Sequence, residues 1–211
     1  MPLDLPSLVA PGHTALVTQE CQRGVIGDLS ALPALAAAAQ GEMIANVAAL
    51  VDAARRAGVR VIHCTAERRP DGRGANANAR IFQYMARAAV KLHPGSPAAQ
   101  LVPEIEVAES DLVLARLHGL SPFSGTGLDP ILRNLGVRTI VAVGVSVNVA
   151  IQNFAFDAVN AAYQVVIPRD AVAGFPREYV EAVFEHTLGA VTNLTTTADL
   201  LAAWRGAAGR G

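Results

Sequence analysis

The feature that most constrains this chain is a repeated alternation of short, continuous apolar runs with longer stretches of helical periodicity. Thr14–Gln19 (TALVTQ), Val59–Thr65 (VRVIHCT), Asp111–Arg116 (DLVLAR), Thr139–Val145 (TIVAVGV) and Gln164–Pro168 read as strands, and a short strand is expected near Ala190–Leu194. Between them, Glu42–Ala57 places Ile44, Val47, Leu50, Val51 and Ala54 at helical spacing and ends in two arginines and Gly58, a cationic last turn and a glycine cap. Further helices are expected over Ala79–Ala89, Asp129–Leu135 (with Thr126 as its cap), Val147–Ala162, Arg177–Leu188 and Ala198–Trp204. Strands that alternate with helices at this pace form parallel βαβ units. Parallel strands are covered on both faces, so their sequences run apolar without alternation. The expected architecture is a doubly wound α/β three-layer sandwich with a mainly parallel sheet of about six strands.

At 211 residues one core can bury most of the apolar surface without a disulfide or metal staple. The expected organisation is an N-terminal arm over 1–13, Pro-rich and lying on the surface, one α/β domain over 14–205, and a flexible tail over 206–211. The start has neither the basic region nor the long apolar stretch of a signal peptide, and no apolar run reaches membrane-spanning length, so a cytoplasmic location is expected with no membrane partner. The formal net charge is -1, and no basic stripe suggests nucleic acid. Two cysteines, Cys21 and Cys64, have no regular spacing and suggest no disulfide framework. Lys91 is the only lysine.

In sheets of this kind ligands bind beyond the carboxyl ends of the strands, near the switch in strand order. The residues to inspect are therefore Glu20, Cys64 to Arg69, Arg116 to Phe123, Val145 to Ala150, and Asp170. No GxGxxG follows the first strand, there is no P-loop and no GxSxG elbow, and the five histidines are scattered without metal-ligand spacing. No cofactor and no metal are expected.

Four segments in order carry a family resemblance: ALVTQECQ at 15–22, DLVLARLHGLSPFSGTGLDPIL at 111–132, GVSVNVAI at 144–151, and the FAFDAVNAAYQVVIPRDAVAG that follows. Together they resemble the isochorismatase-like cysteine hydrolase superfamily, which includes nicotinamidases, N-carbamoylsarcosine amidases and isochorismatases. The resemblance runs from about residue 14 to 204. It implies that the usual Asp, Lys and Cys positions fall here on Glu20, Arg116 and Ala150, an atypical catalytic triad, and that Val145–Ser146 is a candidate cis peptide bond. It also implies a homo-oligomer acting on a small-molecule substrate.

Alanine offers no nucleophile, so a thioester route through Ala150 is excluded. Glu20 supplies a carboxyl group at a strand end, placed for general acid or base work. Arg116 can hold a substrate carboxylate through two parallel hydrogen bonds. The isochorismatase branch of the family also lacks the cysteine and hydrolyses an enol ether, a reaction needing an acid and an anion clamp but no nucleophile. Glu20 and Arg116 are the catalytic candidates on that precedent, and His118, Ser146, Asn148 and Ala150 the substrate-binding ones. Glu is one methylene longer than Asp, and a displacement on the order of 1 Å can cost ~100-fold in rate, so strong activity on isochorismate itself is not expected.

Each residue also has a plainer role. Glu20 and Arg116 can be a structural ion pair, Asn148 a helix cap, and His118 an incidental loop residue. Cys21 and Cys64 can be small buried hydrophobes, although either could face the pocket. Arg68 and Arg69 can meet an anion or a solvated loop, and His186 and Trp204 read as helix packing residues. The alternative to a hydrolase is a non-catalytic pseudoenzyme that kept the pocket and binds a metabolite or partner.

Overall fold

The computed structural model describes residues 4–208. Seven strands form one sheet in the order β3-β2-β1-β4-β5-β7, with β6 also paired to β4. They are β1 (Thr14–Gln19), β2 (Arg60–Ala66), β3 (Leu112–Arg116), β4 (Thr139–Val145), β5 (Gln164–Pro168), β6 (Val172–Ala173) and β7 (Asn193–Thr195). All of these pairings are parallel. The helices are α1 (Leu5–Leu8), α2 (Pro33–Ala39), α3 (Met43–Ala57), α4 (Arg80–Arg87), α5 (Leu128–Asn134), α6 (Gln152–Asn160), α7 (Arg177–Val183), α8 (Gly189–Val191) and α9 (Thr197–Ala208).

Successive side chains of each strand point to opposite faces, and two cores result. On one face Leu16, Val61, Val141 and Val143 pack with Val47, Leu50 and Val51 of α3 and Trp204 of α9. On the other Val17, Ile62, Ile140 and Ala142 pack with Leu128 and Leu132 of α5, Phe154 of α6 and Val180 of α7. Phe123, Phe154 and Tyr163 form a small aromatic cluster in that second core. Both faces of β1 and β4 are buried, which accounts for their unbroken apolar sequences. β3 departs from this: as the edge strand it leaves Leu112 and Val113 exposed.

The strands at 14–19, 139–145 and 164–168 have the bounds expected from the sequence, and Gly58 adopts the left-handed cap after α3. Other expectations shift. The helix after β4 begins with a π turn, Val147–Ile151, before α6, and α7 continues through a second π turn, Phe184–Leu188. Thr126 accepts from the Leu128 N–H, with Gly127 in the cap position of α5. Of the arm expected over 1–13, residues 1–3 lie outside the described residues; the rest runs along the surface and is anchored there, with α1 packed against α9, Val9 fully buried, and the Trp204 indole N–H donating to the Val9 carbonyl at 3.0 Å. The tail expected over 206–211 is helical as far as Ala208, and 209–211 lie outside the described residues. His186 does not pack; its side chain is exposed.

Among the described residues no single helix is long and apolar enough to cross a membrane. The chain winds from β1 outward to β3, then returns to lay β4 on the other side of β1. The switch in strand order therefore falls between β1 and β4.

Candidate active site

The turn out of β1 is tightly determined. A Cβ on Gly144 of β4 would lie 2.2 Å from the Gln19 carbonyl oxygen, so only glycine lets the two strands approach here. Glu20 follows with φ of 52°, an unusual left-handed backbone for a non-glycine residue, and its N–H donates to the Cys64 carbonyl at 2.9 Å. Gln22 then ties β1 to β2, accepting from the Ala66 N–H and donating to the Ala66 and Ala99 carbonyls, each at 2.9 Å. These restraints fix where the Glu20 carboxyl group points.

Arg116 is the last residue of β3, two strands away. Its side chain is 6% exposed and its Nη2 donates to Glu20 Oε1, with a longer contact of 3.4 Å to the Leu120 carbonyl. Gln19 Nε2 donates to the same Glu20 oxygen at 3.0 Å. Nε and Nη1 of Arg116 and Oε1 of Gln19 are buried and meet no partner. Buried donors without acceptors are costly, at about 1–3 kcal/mol each. A buried guanidinium with open donors is a place where a ligand acceptor fits, and a carboxylate suits its planar fork.

Glu20 and Arg116 both line a cavity of about 150 Å³. Its walls come from the ends of β1, β2 and β3: Ala66, Glu67 and Arg68 after β2, and Leu117 to Leu120 after β3. Ile81, Phe82 and Met85 of α4 close one side. Asn76 ties two of the loops together, accepting from the Gly119 N–H at 2.8 Å. His118 is exposed and reaches the cavity. The volume is small beside the roughly 300–1,000 Å³ of drug-sized ligand sites, so a substrate of few atoms fits.

Three of the expected substrate-binding residues are elsewhere. Ser146, Asn148 and Ala150 follow β4 on the far side of the switch point, and none lines this cavity. Asn148 caps no helix: its side-chain N–H donates to the Phe175 carbonyl, and its oxygen accepts from the Phe175 N–H at 3.0 Å, pinning the segment after β6. The Ser146 carbonyl accepts from the Ile151 and Val149 N–H groups of the π turn. The Val145–Ser146 peptide is cis. Ala150 is buried.

The cysteines lie away from the cavity. Cys21 and Cys64 are 1% and 2% exposed and neither lines it. Burial pushes both thiols up to about 12; the Glu20 charge adds to this at each, and at Cys64 the Arg116 charge opposes it. Arg68 lines the cavity, whereas Arg69 is paired to Asp71 on the surface. Among the described residues no group of three or more His, Cys, Asp and Glu side chains comes together as a metal site.

Phe82, Met85 and Lys91 were not among the residues singled out for the site. Lys91, the only lysine, lines the same cavity, and its ammonium donates to the Ala86 carbonyl at 2.6 Å and the Met85 carbonyl at 3.3 Å. It closes the carboxyl end of α4, where a cation is favoured by the helix dipole. The apolar spacing of Ile81, Phe82 and Met85 in a helix with no buried residue was the available signal.

Fold and site together define an open α/β domain with an acid–cation pair in a small cavity at its strand ends. The Isochorismatase domain family model matches residues 14–199, and the chain belongs to the isochorismatase family. Among curated proteins, the uncharacterized isochorismatase family protein YwoC of Bacillus subtilis is 32% identical over 103 residues, 49% of this chain and 54% of that protein, so the match spans about half of that relative's length. The ureidoacrylate amidohydrolase RutB of Rhizobium rhizogenes is 27% identical over 83% of this chain and 76% of that protein. Among solved structures, a cysteine hydrolase from Pseudomonas syringae pv. phaseolicola superposes with a TM-score of 0.80 at 23% identity, covering 95% of this chain and 96% of that one. N-carbamoylsarcosine amidase from Thermoplasma acidophilum gives 0.69 at 24% identity, covering 88% and 96%.

Proposed function

We propose that this protein is a cofactor-free hydrolase that cleaves enol ethers of a small carboxylated metabolite by general acid/base catalysis, without a cysteine nucleophile. The observation that carries the reading is the buried Arg116 guanidinium, which lines the cavity, is bound to Glu20 through one nitrogen, and has two further nitrogens, Nε and Nη1, that meet no partner.

The substrate carboxylate takes the open donors of Arg116. Glu20, in its carboxylic acid form, carries the proton that the reaction needs. Glu20 delivers that proton to the terminal carbon of CH2=C(OR)COO⁻, giving an oxocarbenium ion. Water adds to the cationic carbon and loses its proton to the Glu20 carboxylate. The hemiketal collapses to pyruvate and the alcohol ROH, so atoms and charge balance and no covalent enzyme intermediate forms. His118, exposed and part of the cavity lining, stands between the site and solvent.

In this reading Glu20, Arg116 and Ala150 stand where amidases of the family carry Asp, Lys and Cys. The ureidoacrylate named for RutB is likewise a carboxylate, consistent with an anion clamp in this cavity, but amide cleavage through a thioester is not available to Ala150. The burial of both thiols also supports a second reading, a pocket that binds a carboxylate and does not turn it over. Wild-type protein should release pyruvate from simple 2-alkoxyacrylates, and only slowly from isochorismate, in a coupled dehydrogenase assay. No release from any of them removes the hydrolase reading and leaves the binding one.

A further inference from the structure

The cavity has two kinds of lining: the paired Glu20 and Arg116, and the apolar side chains of Ile81, Phe82 and Met85 of α4 together with Val25. The charges around it do not offer a second buried anion clamp. Glu67 and Arg68 are adjacent and opposite in sign, and the Lys91 ammonium is taken up by the Met85 and Ala86 carbonyls.

We infer that α4 is the specificity wall of this site, and that the ligand is a small monocarboxylate whose body is apolar, with its carboxylate on Arg116 and its hydrocarbon part against Phe82 and Met85. This rests on the anion-clamp part of the proposed function and narrows it: the OR group of the enol ether is a short apolar chain rather than a second carboxylate-bearing group. The helix supports the assignment by its own pattern. None of its residues is buried, so its apolar side chains contribute little to the core, and Phe82 and Met85, half-exposed, are turned to the cavity. Lys91 acts on the ligand only through α4. It is a positioning residue that holds the carboxyl end of the helix against the site.

The size of the effect follows from apolar burial. Each buried methylene contributes about 0.8 kcal/mol, or about fourfold in affinity. Binding of acetate, propionate, butyrate and valerate to the wild-type protein, measured by calorimetry, should tighten by about fourfold per added methylene until the cavity is filled. Succinate, the length of butyrate with a second carboxylate, should bind at least about tenfold more weakly than butyrate. Phe82→Ser should flatten the chain-length series, weakening valerate more than acetate, and the protein should still fold because α4 contributes no buried residue. Lys91→Met should weaken valerate more than acetate, and Lys91→Arg, which keeps the cation at the helix end, should restore it.

Succinate binding as tightly as butyrate, or a chain-length series as steep in Phe82→Ser as in wild type, overturns the inference. Loss of acetate binding itself in Phe82→Ser overturns it too, since α4 would then act on the clamp or the fold. These are equilibrium measurements without turnover, so they separate from the pyruvate assay. A protein that binds butyrate selectively and releases no pyruvate keeps this inference and loses the hydrolase. One that releases pyruvate equally from apolar and carboxylated OR groups keeps the hydrolase and loses this inference.

Discussion

Arg116 pairs with Glu20 across β2, and in the proposed function it also holds the substrate carboxylate, so one substitution removes both. Arg116→Met should abolish carboxylate binding and, by leaving Glu20 without its cation in a largely buried place, lower stability by about 1–3 kcal/mol in urea unfolding. The loss should be at the lower part of that range because Glu20 keeps 18% of its side-chain surface in water. Glu20→Gln keeps an acceptor for Arg116 and should cost less than about 1.5 kcal/mol. That these two residues are candidates was legible from their places at the ends of apolar runs. Their contact was not, because sequence separation of 96 residues says nothing of distance until the strand order is known. Asn148 misled for a related reason: after a strand and before a helix it reads as a cap, but a π turn redirects it to Phe175. The two thiols show the opposite limit, since Cys21, two residues past β1, and Cys64, within β2, read the same whether they face a cavity or the core.

At the scale of elements, the β1–β4 approach is the tightest restraint on the site. Gly144→Ala would set a Cβ 2.2 Å from the Gln19 carbonyl, at a φ of +107° that alanine rarely adopts. A loss of about 4 kcal/mol or more is expected, read as insoluble expression or a lowered urea midpoint. The neighbouring strands carry a buried polar chain away from the cavity. His63 of β2 bonds Thr18 of β1 through Nδ1 at 2.9 Å and Asp111 through Nε2 at 3.3 Å, and Asp111 is paired to Arg55 of α3 at 2.5 Å. With the carboxylate accepting from Nε2–H, Nδ1 accepts from the Thr18 hydroxyl, so neutral His63 is fully satisfied. Burial holds His63 below its ordinary 6.5, the opposing pull of Asp111 being the smaller effect. Burial pushes Asp111 upward, but Arg55, the Ala108 N–H and His63 together carry it below 3.8. Below pH 6.5 the unfolded chain binds a proton that folded His63 refuses. Its contribution is therefore complete above that value and is lost as pH falls through the window below it. Asp111 adds a further loss below 3.8. The urea midpoint should drop between about pH 7 and about pH 5, and His63→Gln should flatten that drop. The strands themselves were the most readable elements, since burial on both faces leaves no alternation to misread. α4 was the least readable as part of a site, because its apolar side chains serve a cavity and not the core.

For the whole molecule, the sheet is held between two separate cores, and the N-terminal segment belongs to one of them. Leu5 and Leu8 pack on that core, Val9 is fully buried in it, and its carbonyl takes the Trp204 indole N–H. Trp204→Ala should lower stability by about 3–5 kcal/mol in urea unfolding. Removal of residues 1–10 should destabilise the protein in the same direction while leaving carboxylate affinity of the folded fraction unchanged, since none of the described residues among them, 4–10, lines the cavity. The Pro-rich composition of this segment suggested a surface arm, and what anchors it is tertiary: a tryptophan far along the chain supplies the partner for its backbone. The switch point between β1 and β4 gave the right end of the sheet for a site, but the cavity lies toward β3, where loops and α4 enclose space.

The most direct test compares steady-state pyruvate release from a 2-alkoxyacrylate by wild type and Glu20→Gln, with butyrate affinity measured on both. If Glu20 is the acid, turnover should fall by about 100-fold or more while butyrate affinity changes by no more than a few fold. Equal turnover by the two proteins would contradict the assignment of the proton to Glu20 and, with it, the account of catalysis without a nucleophile.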